Sequence, residues 1–270
     1  MSPQLFAILS RLVEERTGIH YDTGDREIFV SKATGRALTA GFESLLDYYY
    51  FLRYDAGSTA ELDALIDALV VPETYFFREA HALRVAIETW IRPAVRRGRG
   101  ARIWSAACST GEEPLTLAML LDESGLLPSV EIVASDLSTR ALAVARAGGP
   151  YGDRSLRALP PNVLGRWLEL DGSGAVHARP ELLRAIAWRR INLCEPPAIA
   201  NLGSFDLLVC RNVLIYFADE NIARIAVSLS SALRPEGRLL LGASESLMRF
   251  GTLLECEEQQ GAFFYRSRKT

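Results

Sequence analysis

The apolar and polar positions of the chain follow two different periods. Up to about residue 70 the apolar residues recur at helical spacing. Leu5, Ile8, Leu9, Leu12 and Val13 form one stripe, as an amphipathic helix requires. A second helix is predicted from about Arg26 to Leu38, ending near Gly41, and a third runs through SLLDYYYFLRY. A fourth opens at Ser58, where Glu61 three residues on completes a capping box before LDALIDALV. No strand pattern occurs in this part. The run Tyr48–Tyr50 reads either as a stacking platform or as an aromatic stripe packed on neighbouring helices, and the stripe is the expectation.

From about residue 101 short, nearly continuous apolar runs take over. ARIWSAA, VEIVASD, DLLVCRN and RLLLGAS each end in small or polar residues, separated by the helical stretches EPLTLAMLLDE, STRALAVARAG and ADENIARIAVSLSSALR. Strands without a polar face that alternate with helices belong to a parallel sheet covered on both sides. LLECEEQQ and AFFYRSR, a few residues apart, suit a closing antiparallel hairpin. The expected fold is therefore α/β. A small all-helical N-terminal domain (1–70) and a linker with a lead-in helix (71–100) precede a doubly wound, mostly parallel, Rossmann-like sheet (101–270). A small antiparallel β insertion is expected at about 160–190, where RWLELDGSGAVHARPELLRAIAW sets a Gly-Ser-Gly turn between short β-like runs.

Composition excludes several classes. The chain is 49% hydrophobic and 23% charged, enough for a packed core. A net charge of -3 offers no global attraction to nucleic acid. The arginine-rich IRPAVRRGRGAR is read as a solvated helix end and entry loop rather than an RNA-binding segment. No apolar run reaches the roughly 18–20 residues that span a bilayer, and the N-terminus lacks the basic start of a signal peptide. Four dispersed cysteines without a CxxC pair, and three histidines, make neither a disulfide framework nor a metal set. A cytoplasmic monomer, without metal, membrane insertion or nucleic acid, is expected.

The chemistry concentrates in IWSAACSTGEEP (103–114). Ligands of doubly wound sheets bind beyond the carboxyl ends of the strands. Small residues there admit a ligand to the backbone, Gly111 makes a tight turn, and Pro114 suits a helix start. The two acids select the ligand. A helix N-terminus that cradles pyrophosphate keeps its N–H groups bare, and carboxylates would repel the anion. S-adenosylmethionine, with a sulfonium and an amino group and no phosphate, meets no such objection. Glu113 is assigned to the ligand and Glu112 to the helix dipole. Asp136, at the end of the second strand, is placed to accept from ribose hydroxyls.

At these residues the chain resembles the CheR family of chemoreceptor glutamate methyltransferases, over nearly its whole length. PETYFFRE (72–79) resembles that family's Asn-Glu-Thr-x-Phe-Phe-Arg-Asp segment, WSAACSTGEEP its S-adenosylmethionine loop and ASD its acidic strand end. INL (191–193), CRNVLIYF (210–217) and LRPEGRLLLGASES follow in the family's order. The resemblance implies a cofactor pocket of Thr74, Arg78, Glu113, Asp136, Asn192, Leu193, Arg211 and Asn212, with Arg78 and Tyr216 beside the transferred methyl. Asn192 offers donors and acceptors suited to an adenine edge. The implied reaction is a single displacement by a receptor glutamate, yielding a methyl ester and S-adenosylhomocysteine. That carboxylate is already ionised at neutral pH, so no general base is expected.

The sequence departs from the family pattern at Pro72, which stands in place of asparagine, and at Ala243, in place of histidine. Only Arg26, Lys32 and Arg36 remain of the basic residues on the second helix. The partner implied is the cytoplasmic helical region of a methyl-accepting chemoreceptor. The short insertion favours binding without a C-terminal pentapeptide tail. A non-catalytic module that binds S-adenosylmethionine and docks on a receptor-like scaffold, and a methyltransferase for another substrate, are the alternatives.

Overall fold

The structure is a computed structural model and describes residues 2–251 and 253–268. Four helices open the chain: α1 (Pro3–Thr17), α2 (Arg26–Thr39), α3 (Leu45–Tyr54) and α4 (Thr59–Leu69). Ser2 and Ser44 cap α1 and α3 by accepting from Leu5 N and Asp47 N, each satisfying one orphan donor of the first turn. The helices bury a core that includes Phe6, Leu9, Val13, Phe29, Tyr48, Leu52 and Leu65.

Two details differ from the sequence pattern. Phe6 turns inward on α1 while Ile8 is exposed, because the buried stripe runs Phe6–Leu9–Val13 at helical spacing. The capping box at Ser58 does not form. Ser58 has helical dihedrals and its hydroxyl donates to Leu52 O at 3.1 Å, while Glu61 is held by Arg36 and by the Tyr48 hydroxyl at 2.7 Å. Tertiary partners outcompete the local cap. Tyr48 is thereby fully buried, as the packed stripe required, whereas Tyr50 and Tyr54 stack at the surface.

After α5 (Ala80–Ala86), a π-helical turn at Ile87–Ile91 and α6 (Arg92–Arg96), the alternating part begins. It runs β1 (Ala101–Ala106), α7 (Glu112–Glu123), β2 (Val130–Asp136), α8 (Thr139–Ala147), α9 (Asp153–Leu156), β3 (Leu168–Leu170), β4 (Val176–Ala178), α10 (Pro180–Arg184), β5 (Ile186–Arg190), α11 (Pro196–Ala200), β6 (Phe205–Cys210), α12 (Asp219–Ser231), β7 (Leu233–Leu241), β8 (Leu254–Gln259) and β9 (Ala262–Ser267). The seven-stranded sheet has the order β5-β2-β1-β6-β7-β9-β8. β5, β2, β1, β6 and β7 are parallel, and the β8–β9 hairpin closes the sheet antiparallel, as expected.

Successive residues of the central strands feed opposite cores. Ile103, Leu207 and Val209 pack on the α5 and α7 side, and Trp104, Leu208 and Cys210 on the α12 side. This is the period of two that makes both faces apolar. The antiparallel insertion is smaller than the interval 160–190 suggests. β3 and β4 pair with each other, but β5 leaves the insertion and pairs parallel with β2. The exposed Arg189 and Arg190 end β5, as an edge strand with only one covered side allows.

Candidate functional site

A cavity lies beyond the carboxyl ends of β1, β2 and β6, where the strand order reverses. All nine residues singled out from the sequence line it: Thr74, Arg78, Glu113, Asp136, Asn192, Leu193, Arg211, Asn212 and Tyr216. The helical domain supplies the roof, through Ile19, Tyr21, Ile28, Phe29 and Lys32.

The loop after β1 is contorted. Ala107, Ser109 and Gly111 all have positive φ, at 56°, 51° and 96°. Such a backbone costs a residue with a Cβ about 1–2 kcal/mol. The contortion turns Cys108 N toward Ser135 O (2.8 Å) and Ser109 N toward the Asp136 carboxylate (2.7 Å), which ties β1 to β2 at the cavity floor. At Gly111 a Cβ would stand 2.9 Å from Ala145 Cβ and 3.1 Å from the Trp188 ring. Glycine is therefore required twice, for its dihedral and for the close approach of α8. Phe77, Glu79 and Asn212 also have positive φ. Of the six non-glycine residues of this kind among those described, Ala107, Ser109 and Asn212 line the cavity, and Phe77 and Glu79 flank Arg78, which also lines it. Such clustering of sparsely populated backbone marks functional loops.

The acids take distinct roles. Glu113 receives the Ser105 hydroxyl at 2.6 Å and Arg211 Nε at 2.8 Å, and keeps an edge on the cavity. Asp136 accepts from Ser109 N and from Ser138 N (2.8 Å). Burial pushes its carboxyl above the usual range, and these backbone N–H groups oppose the shift. Glu112 stands in the first turn of α7, as the helix-dipole assignment has it, and is buried there. It is 1% exposed, accepts from Ser155 Oγ and Thr110 Oγ1 at 2.7 Å each, and is raised by burial. It ties the loop to the segment beside α9.

Arg211 has a side chain only 2% exposed. Its guanidinium joins Glu113, the Arg78 carbonyl (2.9 Å) and Glu79 (3.4 Å), so it acts by fixing the segment that carries Arg78. Phe76 N and Phe77 N anchor the same segment to Ser155 O and Thr116 Oγ1. The Arg78 side chain lies over the Tyr75 ring at 5.5 Å and reaches the Glu73 carbonyl at 3.5 Å. Tyr216, half-buried, has its phenol raised by burial, and the Arg78 cation beside it opposes that effect. The Asn192 amide is largely committed elsewhere, donating to Arg16 O (3.0 Å) and accepting from Cys194 N (2.9 Å). It fastens the end of α1, and with it the roof, to the sheet.

Chain comparisons agree with this geometry. Residues 4–70 match the family model "CheR methyltransferase, all-alpha domain", and residues 72–263 match "CheR methyltransferase, SAM binding domain". The chain belongs to the CheR methyltransferase family. It is 33% identical to "Chemotaxis protein methyltransferase 2" of Vibrio cholerae, over 94% of this chain and 90% of that protein. It is 37% identical to the "Chemotaxis protein methyltransferase" of Vibrio anguillarum (92% and 90%) and 35% identical to that of Salmonella typhimurium (91% and 85%).

S-adenosylmethionine is the cofactor of the CheR domain, and the residues present fit it. Carboxylates occupy the first turn of α7, where a phosphate ligand would need bare N–H groups. The Ser109 hydroxyl is buried at the cavity with no partner among the described residues, an acceptor and donor left for a ligand. Ser109 was missed in the sequence because a serine between Cys and Thr carries no signal of its own. Glu245 was missed as well. It stands behind the loop after β6 and accepts four backbone N–H groups.

Of the departures from the CheR pattern, Pro72 borders the cavity, whereas Ala243 is exposed and away from it. On α2, Arg36 is paired with Glu61 and Lys32 Nζ donates to Leu69 O at 3.0 Å. Four of the arginines in the 92–102 segment are paired with acids: Arg92 with Glu88, Arg97 with Glu236, Arg99 with Asp206 and Arg102 with Glu131. Among the described residues no helix is long and apolar enough to cross a membrane.

Proposed function

We propose that this protein transfers a methyl group from S-adenosylmethionine to glutamate side chains of a methyl-accepting chemoreceptor, giving glutamyl methyl esters and S-adenosylhomocysteine. The observation that carries the reading is the convergence of Arg78 and Tyr216 on the cavity already lined by Glu113, Asp136 and Asn212. The curated relatives, named chemotaxis protein methyltransferases over nearly their full length, supply the pathway.

When bound, the cofactor supplies an electrophilic methyl group on a cationic sulfonium. Asp136 and Glu113 present acceptors to the ribose hydroxyls and the ammonium group, and Ser109 Oγ gains the partner it lacks in the protein alone. The edge of Asn192 that is not bonded to Arg16 and Cys194, together with the backbone at Leu193, would hold the adenine. Arg78 orients the incoming carboxylate, and its planar fork suits two oxygens better than a lysine would. Tyr216 keeps its phenol protonated, since burial raises it, and directs that O–H at the same carboxylate. A glutamate with a pKa of about 4.3 arrives ionised, so no side chain need remove a proton. Alignment carries the catalysis, and oriented approach accounts for roughly 7–11 kcal/mol of a barrier.

The partner is the cytoplasmic helical region of the receptor, bound by a monomer without need of a pentapeptide tail. The small β3–β4 insertion supports that mode. Arg78→Ala tests the reading: methyl transfer falls to less than about a tenth of wild type while the circular dichroism spectrum is unchanged. A variant that retains more than that fraction removes Arg78 from the reaction.

A further inference from the structure

The loop after β6 carries Asn212 and leads into a single 3-10 turn, Leu214–Tyr216, that ends on Tyr216. Asn212 has φ 58°, and Val213 follows at φ -127° and ψ -30°. A left-handed residue followed by a right-handed one turns successive N–H groups toward one point and forms an anion nest. Such nests commonly take a phosphate or another external anion. Here the anion belongs to the chain. Glu245 Oε2 accepts from Asn212 N (2.6 Å) and Gly242 N (2.8 Å), and Oε1 accepts from Val213 N (2.9 Å) and Leu214 N (2.8 Å). Gly242 leaves room for this arrangement, since a Cβ there would stand 2.7 Å from Asn212 Nδ2 and 2.8 Å from Glu245 Oε2.

We infer that Glu245 is the positioning residue of the methyl-proximal loop. Its carboxylate fixes the backbone that aims Asn212 and Tyr216 into the cavity, and it closes the nest to outside anions. Glu245 does not itself line the cavity, so it touches neither cofactor nor substrate. The charge matters as much as the shape. Four converging N–H donors stabilise a carboxylate, which accepts on both oxygens. An amide of the same size turns an N–H2 group against two of those donors. The assignment rests on the methyl-transfer reading above, because it is Tyr216 and Asn212 that it positions.

Two variants test it, Glu245→Gln and Glu245→Ala, each followed by three measurements. Hydrogen exchange reads the amides of residues 212, 213, 214 and 242, calorimetry reads S-adenosylhomocysteine binding, and labelled cofactor reads methyl transfer to a receptor fragment. Both variants are expected to fold, to exchange those four amides about tenfold faster or more, and to lose kcat by a larger factor than cofactor affinity. Sodium acetate is the decisive probe. It is expected to re-enter the emptied nest of Glu245→Ala and restore part of kcat and of amide protection, and to do neither in Glu245→Gln, where the side chain still fills the space. Unchanged kcat, unchanged exchange or absence of acetate rescue overturns the assignment. Failure of both variants to fold overturns it too, since it would make Glu245 a residue of global stability. If the wild type transfers no methyl to the receptor while exchange and acetate behave as described, the loop assignment stands and the substrate reading falls.

Discussion

Arg211→Met probes the buried charge that organises the site. The Arg211 side chain is 2% exposed and its partner Glu113 is 11% exposed. Nε stands 2.8 Å from Glu113 Oε2, and Nη1 holds the Arg78 carbonyl at 2.9 Å. Methionine keeps the length and much of the volume of the side chain, so little cavity is created. What it removes is the cation, leaving Glu113 buried with only the Ser105 hydroxyl as donor. Orphaning one member of a buried pair costs about 3–5 kcal/mol, against about 0–1 for a surface pair. At about 1.36 kcal/mol per decade this is two to four orders of magnitude in the folding constant. For a chain of this size it lowers Tm by roughly 6–10 °C.

Urea unfolding, followed through the fully buried Trp104, measures the loss. The double variant Arg211→Met with Glu113→Gln separates the pair from its surroundings, because it leaves no orphan charge. It is expected to recover at least about 1.5 kcal/mol of the single variant's loss. A loss under about 1 kcal/mol in Arg211→Met, or a double variant no more stable than the single one, refutes the reasoning.

Two further outcomes follow from the loop after β1. Gly111→Ala places a Cβ 2.9 Å from Ala145 Cβ on a backbone with φ 96°. Dihedral strain and overpacking together give a loss of about 2–5 kcal/mol, with weaker S-adenosylhomocysteine binding by calorimetry. An unchanged Tm and affinity contradict the account of that turn. Glu112→Gln acts on pH dependence. Burial raises the Glu112 carboxyl, so the folded state disfavours the charged form. Its contribution to stability is therefore full below the unfolded pKa of about 4.3 and is lost as pH rises through the higher folded value. The glutamine variant is expected to lose less stability than wild type as pH rises above about 4.3, measured by urea unfolding at each pH, and an identical slope refutes this.

The parallel core was legible because β1, β2 and β6 are buried on both faces, and their apolar runs end at small or polar residues. The cavity was legible for a related reason. Gly111, with positive φ and a close approach to Ala145, admits only glycine, and the run of small residues before it leaves a trace in composition. Tertiary choices left none. The Ser58–Glu61 pair has the spacing of a cap, but Glu61 is claimed by Arg36 and Tyr48 from other helices. The Asn192 amide suits an adenine edge in isolation, and the fold commits part of it to the Arg16 carbonyl, far away in sequence. β5 joins the sheet at its edge through AIAWRR, a segment with no strand periodicity. Glu245 lies in the matched stretch LRPEGRLLLGASES, but its role is visible only once the fold turns four amides toward it.

The most direct test of the account is the fate of label from methyl-labelled S-adenosylmethionine incubated with the protein and the cytoplasmic helical fragment of a chemoreceptor. The account predicts label on the receptor that mild base releases as methanol, the behaviour of a glutamyl methyl ester. Label that survives the base, as a methylated lysine or an ether would, or no transfer to any receptor fragment, contradicts it.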